Sequence, residues 1–252
     1  MKAYFIFEEI GWECGRLKIG REKEMKALTR VAIVIVVAIL LLAAASAIIM
    51  SLPGSRELLK TYPWLQGFIP HTVMLIGSTL ILLIAGRGRL GKFGYRLPRD
   101  FKMIKIVAFA FGIGFVGNLL LEVLPAPTES IMPTYPFGQI VLLIWVYASI
   151  CEEVYARGLI QGLLMPLAPT GLNIFHIRVS LPVIIGATFF ALIHLMPFAG
   201  VMPAITLAAF LLLALVLGLM AGYQLEKSGS LIPAILVHSM FNVSGWLAEM
   251  LT

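Results

Sequence analysis

An apolar stretch near the middle of the chain reads Trp145-Val-Tyr-Ala-Ser-Ile-Cys-Glu152-Glu153-Val-Tyr-Ala-Arg157-Gly-Leu, with two adjacent carboxylates and a guanidinium among hydrophobic side chains. Each charge in a membrane-spanning helix costs on the order of 2.5–3.5 kcal/mol on insertion scales, so a group of three is a functional candidate by default. Glu153 and Arg157 are four residues apart with the acid first, the favourable order for an ion pair on one helix face. Glu152 lies about 100° around the helix from Glu153 and can face elsewhere. The pair is expected to neutralise itself and leave Glu152 available for chemistry. A purely structural ion-pair cluster is the plainer reading of this segment taken alone.

Two histidines also lie inside apolar runs. Phe190 and His194 share a helix face at i and i+4, and so do His238 and Asn242. A lone intramembrane histidine is more often an interhelical hydrogen-bonding group than a catalyst. Two of them, with a carboxylate pair and an asparagine spread over three segments, shift the balance toward catalysis. Peptide hydrolysis needs a base to take a proton from water, and donors placed where the tetrahedral oxyanion develops. Glu152 suits the first task, His194 can help orient the water, and His238 with Asn242 can donate to one oxyanion. Zinc is the less favoured alternative. Glu152, His194 and His238 are reasonable ligands with a fourth position for water, but Asn242 is a poor ligand and a good oxyanion donor. His71, beside Pro70, and His176, in a loop, are expected at interfaces and outside the chemistry.

Other hydrolase designs are missing their residues. Asp100 is the one aspartate in the chain, which rules out an aspartyl dyad. No His-Glu-x-x-His and no Gly-x-Ser-x-Gly occurs either.

Transmembrane helices have to position these residues. The 252 residues are 60% hydrophobic and 13% charged, with a mean hydropathy of +0.97. That composition excludes a soluble enzyme, and the long uninterrupted apolar runs exclude a β-barrel. The runs are Val31 to Leu52, Phe68 to Ala85, Met103 to Leu124, Phe137 to about Leu164, Val179 to Met196, Ala204 to Tyr223 and Leu231 to Leu251. They predict an all-α, polytopic transmembrane helical bundle of about seven or eight spanning segments. Residues 1–30 form a polar, basic N-terminal segment, and residues 31–252 form a single integral membrane domain with its catalytic core at about 137–245. The stretch before Met25 reads either as a short interfacial helix or as an upstream extension. Cys14 and Cys151 lie in contexts too different for a disulfide.

The formal charge of +6 follows membrane topology and not nucleic-acid binding. Seven Lys and Arg fall in residues 1–30, seven between Gly86 and Lys105, and none between Pro125 and Pro136. The N-terminus and the second loop are therefore expected in the cytoplasm, with Arg87 to Lys105 near anionic membrane lipids. Seven spans then put the C-terminus outside. One inconsistency follows. Glu152 and His238 fall in the cytoplasmic half, while His194 lies about 24 Å from a loop ending at Arg178. A deeper start of the fifth helix, or an irregularity at Pro182, would reconcile them. Trp64, Trp145 and Trp246 read as interfacial anchors, and Met196, Met202 and Met220 as packing. Gly158 and Gly162 read as a small-residue helix contact that serves equally within one chain or between copies.

Taken in order on three helices, Glu152-Glu153-x-x-x-Arg157, Phe190-x-x-x-His194 and His238-x-x-x-Asn242 resemble the CPBP family of CAAX prenyl endopeptidase type II and bacteriocin-processing intramembrane proteases. Arg157-Gly158-Leu-Ile-Gln161 is similar to the continuation of its first motif. The resemblance spans about residues 137–245, and the first three segments carry none of it. It implies that Glu152 activates water, that His194 positions it and that His238 with Asn242 forms the oxyanion site. Glu153, Arg157 and Phe190 would be supporting residues, and no cofactor would be needed. It also implies a peptide or lipidated-peptide substrate, including cleavage after a prenylated cysteine. A reading from another class is a non-enzymatic transporter, immunity or scaffold protein, because proton relays use buried Glu and His as well. Asn242 separates the two, since an oxyanion site needs it and a relay does not.

Overall fold

The apolar runs fold into seven helices long and apolar enough to cross a membrane among the described residues: Glu24–Ser51, Leu65–Ala85, Ile104–Glu122, Phe137–Leu167, Leu181–Phe198, Ala204–Ser228 and Leu231–Leu251. They are numbered here as spans one to seven. The computed structural model describes residues 2–98, 103–126, 135–174 and 176–252, with side chains described from Glu24 onward apart from Ile174. The Cys14 side chain, Arg99, Asp100, Lys102, Pro127 and the others on which expectations were placed within those gaps lie outside the described residues. Among the described residues the only sheet is a hairpin between spans four and five, pairing Gly171–Ile174 with Ile177–Ser180. No eighth span occurs among them.

The distribution of side chains is that of a protein dissolved in lipid. Leu40, Ile76, Ile84, Phe109, Val116 and Leu212 face outward, while Glu153, Arg157, Gln161, His238 and Ser244 are buried. Water would penalise that apolar surface and hydrocarbon does not, so the chain is an integral, multi-pass membrane protein. Span one is the end of a single helix, Lys2–Ser51. The segment before Met25 is therefore not a separate interfacial helix. No proline precedes Pro53, and the helix stops where Pro53 and Gly54 (φ 66°) break it.

Span four is the hub. All eight residues of Val154–Gln161 are buried, packed by spans one, two, five, six and seven. Two hydrogen bonds pin it: Tyr155 donates its hydroxyl to Ala38 O in span one, and Gln161 Nε2 donates to Gly222 O in span six, each at 2.9 Å. Gly158 and Gly162 face Leu82 and Phe93 of the same chain, so this small-residue contact is intramolecular. Spans three and seven pack closely because Gly114 has no Cβ; one there would collide with Ser244 Oγ. Met220 joins the core, but Met196 is 78% exposed, so the packing expectation fails for it. Trp145 and Trp246 meet edge-to-face at 5.5 Å, and both contact Phe137. They form one aromatic cluster.

The depth inconsistency disappears in the fold. Residues 177–180 are strand, and the fifth helix starts at Leu181, where the Ser180 hydroxyl caps the Val183 N–H. Pro182 sits in the first turn, a position that suits proline, and introduces no irregularity. Counted from Leu181, His194 is about 20 Å along its helix, and Glu152 is about 22 Å from Leu167. Glu152 is the sixteenth residue of a 31-residue span, its midpoint. The recessed element is span seven. Leu231 N donates to Gly94 O at 2.9 Å and Arg96 Nε to Gly229 O at 2.6 Å, so the loop after span two folds under this joint and lifts His238 to the level of Glu152. Gly229 takes φ 68°, and a side chain there would strike Arg96.

Candidate active site

Span four is not a uniform α-helix. Ile140–Ala148 and Val154–Gln161 are wound as π-helix, with an ordinary turn, Ser149–Glu153, between them. Such wide turns concentrate at functional sites because they displace carbonyls from their usual partners. Within the ordinary turn the two carboxylates diverge as their spacing predicts. The Glu153 side chain is wholly buried, while Glu152 keeps 15% of its side-chain surface exposed.

Three imidazoles converge on Glu152. His71 Nε2 of span two lies 2.9 Å from Oε1, and His194 Nε2 and His238 Nε2, of spans five and seven, each lie 3.8 Å from Oε2. Each ring is held from behind through Nδ1: His71 by Gly67 O at 2.6 Å, His194 by Phe190 O at 2.7 Å and His238 by Glu153 Oε1 at 2.9 Å. Carbonyl and carboxylate oxygens can only accept, so in all three rings Nδ1 carries the hydrogen and Nε2 is turned to Glu152. Glu152 Oε2 is buried and has no hydrogen-bond partner.

The presence of His71 corrects the expectation that it sits at an interface. Span two begins at Leu65, three residues before the apolar run does, so His71 is the seventh residue of a 21-residue helix and about one turn deeper than the sequence implies. A polar residue that far inside an apolar helix was the available signal. His176 is exposed in the hairpin turn.

A cavity of about 90 Å³ adjoins the site, lined by His194, His238 and Asn242 together with Asn118, Phe190 and Leu213. Asn242 Nδ2 donates to Ile144 O and to Ser149 Oγ, each at 3.1 Å. Ile144 lies in the first π-helical stretch, where a carbonyl displaced from the helical ladder can take an outside donor.

The expected ion pair forms: Arg157 Nη1 lies 3.0 Å from Glu153 Oε1 with both side chains fully buried. The angle is too poor for a hydrogen bond, and all three guanidinium nitrogens lack a hydrogen-bond partner. Phe190 covers the group instead, its ring centroid 4.5 Å from Arg157 Cζ, and the same ring packs on His194 at 4.7 Å and edge-on to His238 at 5.5 Å. Phe190 thus wedges the cation and both histidines apart at fixed spacing. As for metal, no three or more His, Cys, Asp or Glu are arranged to hold an ion among the described residues. The 2.9 Å between His71 and Glu152 is a direct hydrogen bond, shorter than the roughly 3.3 Å between two ligands of one tetrahedral zinc.

Residues 135–244 match the family described as Type II CAAX prenyl endopeptidase Rce1-like. Over these residues the chain is similar to that family, as its motifs suggest. No curated protein and no solved structure matches the chain. That family is one of proteases, and the similarity falls on membrane-spanning segments, which weighs against the transporter reading. The match takes in Glu152, Glu153, Arg157, Phe190, His194, His238 and Asn242, and leaves out His71 and Asn118.

Within the matched residues the Glu153–Arg157 pair carries a stability prediction. Arg157→Ala would leave Glu153 as a buried carboxylate with His238 as its one close polar neighbour. Breaking a buried pair in this way typically costs about 3–5 kcal/mol. The variant should unfold at a clearly lower temperature than wild type in detergent. An unchanged midpoint would show that the pair adds nothing to stability.

Proposed function

We propose that the protein is an intramembrane glutamic endopeptidase of the CPBP type in which Glu152 activates water without a metal. The observation that carries this reading is the state of the Glu152 carboxylate: Oε1 is held by His71, while the unpartnered Oε2 faces His194 and His238. Water placed between Oε2 and His194 Nε2 gives its proton to Oε2 and its oxygen to the scissile carbonyl carbon. The proton then passes from Oε2 to the leaving nitrogen, and the balance closes on a carboxylate, an acid and an amine.

His238 and Asn242 supply the oxyanion site. For this His238 must carry hydrogen on Nε2 as well as Nδ1, and Glu153 Oε1 at 2.9 Å is the counter-charge which that cation needs. Asn242 stays anchored to Ile144 O and exchanges its bond to the neutral Ser149 hydroxyl for one to the oxyanion. That exchange favours the charged acceptor.

A lipidated peptide is the substrate class that fits best. An apolar groove of about 620 Å³ between spans three and six, lined by Phe109, Gly112, Val116 and Leu213 among others, opens to the surface, and Leu213 also lines the cavity beside His194 and His238. A hydrocarbon chain in that groove leaves an attached peptide next to the site, consistent with CAAX processing of a prenylated cysteine. The N-terminus is cytoplasmic in this reading, from the basic residues in 1–30 and in the loop after span two. The test is cleavage by the purified protein in lipid vesicles of a farnesylated CAAX peptide and of the same peptide without the lipid. The lipidated form should be cut preferentially, with Glu152→Ala as the blank. Failure of wild type to cut either above that blank would refute the reading.

A further inference from the structure

The residue that most directly contacts Glu152 lies outside the matched domain, on span two. We infer that His71 is a positioning residue for Glu152, holding Oε1 through a shared hydrogen so that Oε2 is the oxygen presented to water. The inference rests on Glu152 being the base of the proposed reaction.

Three features support it. A glutamate's terminal torsion is broad, so an untethered carboxylate would present its oxygens in many orientations; the 2.9 Å contact from His71 Nε2 removes that freedom. Next, the ring is fixed from behind, because flipping it would break the 2.6 Å bond from Nδ1 to Gly67 O. Finally, the same turn of span two is docked on span four just before Glu152. The Thr72 and Tyr147 hydroxyls are 2.7 Å apart, and Phe68 stacks on Tyr147 with ring centroids at 5.1 Å. A base held by a side chain that is itself locked on two sides is the arrangement a pre-organised site requires.

The hydrogen count follows from the atoms. A bare carboxylate oxygen and a bare Nε2 are both acceptors, so one hydrogen must lie between them at 2.9 Å. It stays in the His71–Oε1 bond through the cycle, while the proton from water enters and leaves through Oε2. The other charged or titratable groups around this carboxylate are His194 and His238, each 3.8 Å from Oε2, the Glu153–Arg157 pair beyond His238, and the buried Cys151 thiol with the Tyr147 hydroxyl beside it. A hydrogen bond with no role beyond joining spans two and four would tie the helices equally well without leaving Oε2 turned toward both catalytic-side imidazoles.

The experiment compares His71→Leu, which has no donor, with His71→Gln, whose amide can still donate to Oε1. With a farnesylated CAAX peptide, the leucine variant should lose about 10- to 100-fold in kcat, the value of a hydrogen bond to a charged group, with KM within about two-fold of wild type. The glutamine variant should recover most of that loss. Equal losses in both, or wild-type kcat in the leucine variant, would overturn the inference. A readout independent of activity uses protein labelled with 15N in its histidine rings. The Nε2 signal assigned to His71 by its disappearance in His71→Gln should move in Glu152→Gln. A signal that does not move would also overturn the inference. An inactive wild type with a responsive His71 signal would count against the peptidase reading alone.

Discussion

Purified Glu152→Gln protein should cleave no peptide above background while unfolding at the wild-type temperature. The substitution keeps the side chain's size, and the amide oxygen can still accept from His71 at the position of Oε1, so the contact between spans two and four survives. What disappears is an atom that can take a proton from water. General-base catalysis contributes about 10²–10⁴ in rate, and among the described residues the site has no second carboxylate free to replace Glu152. Glu153, the nearest one, is fully buried and engaged with Arg157 and His238. Turnover near the wild-type level in a folded Glu152→Gln protein would end the general-base assignment.

Asn242→Ala is expected to lower kcat by about 10²–10³ with little change in KM, the usual consequence of removing one oxyanion donor. Because Asn242 also ties span seven to Ile144 and Ser149 of span four, part of any loss could be positional. Ser149→Ala separates the two contributions. It breaks one tie but leaves the amide free to donate, so it should lose far less activity than Asn242→Ala. In parallel, the purified protein should contain no stoichiometric zinc, and its activity should survive strong chelators. A zinc site with Glu152, His194 and His238 as ligands predicts the opposite pattern. Elemental analysis would then find about one metal per chain, Asn242→Ala would have little effect, and zinc would restore activity lost to a chelator.

Much of the site could be read from residue order because its parts are local. Glu153 with Arg157, Phe190 with His194, and His238 with Asn242 are each one helical turn apart, and helix periodicity alone puts each pair on a common face. The structure bears out the first pairing as a 3.0 Å buried ion pair and the second as tilted rings in contact, with centroids 4.7 Å apart. The roles assigned to these residues rest on the experiments above. The all-α bundle and its seven spans were equally legible, since hydrocarbon forces every backbone polar group into intrahelical bonds and demands long apolar runs.

Relations between helices could not be read in the same way. Nothing along the chain indicates that Leu231 is anchored to Gly94, and Gly229 to Arg96, at the start of the helix that carries His238 to Glu152. Nor does spacing reveal that His71, 81 residues before Glu152 and outside the family match, provides its nearest partner. The π-helical winding on both sides of Glu152 and the second function of Asn242 as a tie to span four are likewise hidden. Helical fold class, membrane embedding and the candidate base, histidines and amide follow from composition and a 3.6-residue period, which act within a single segment. Depth, rotation and the histidine that holds Glu152 follow from how seven helices pack around span four, because side-chain volume and interhelical hydrogen bonds set those offsets only once the segments meet.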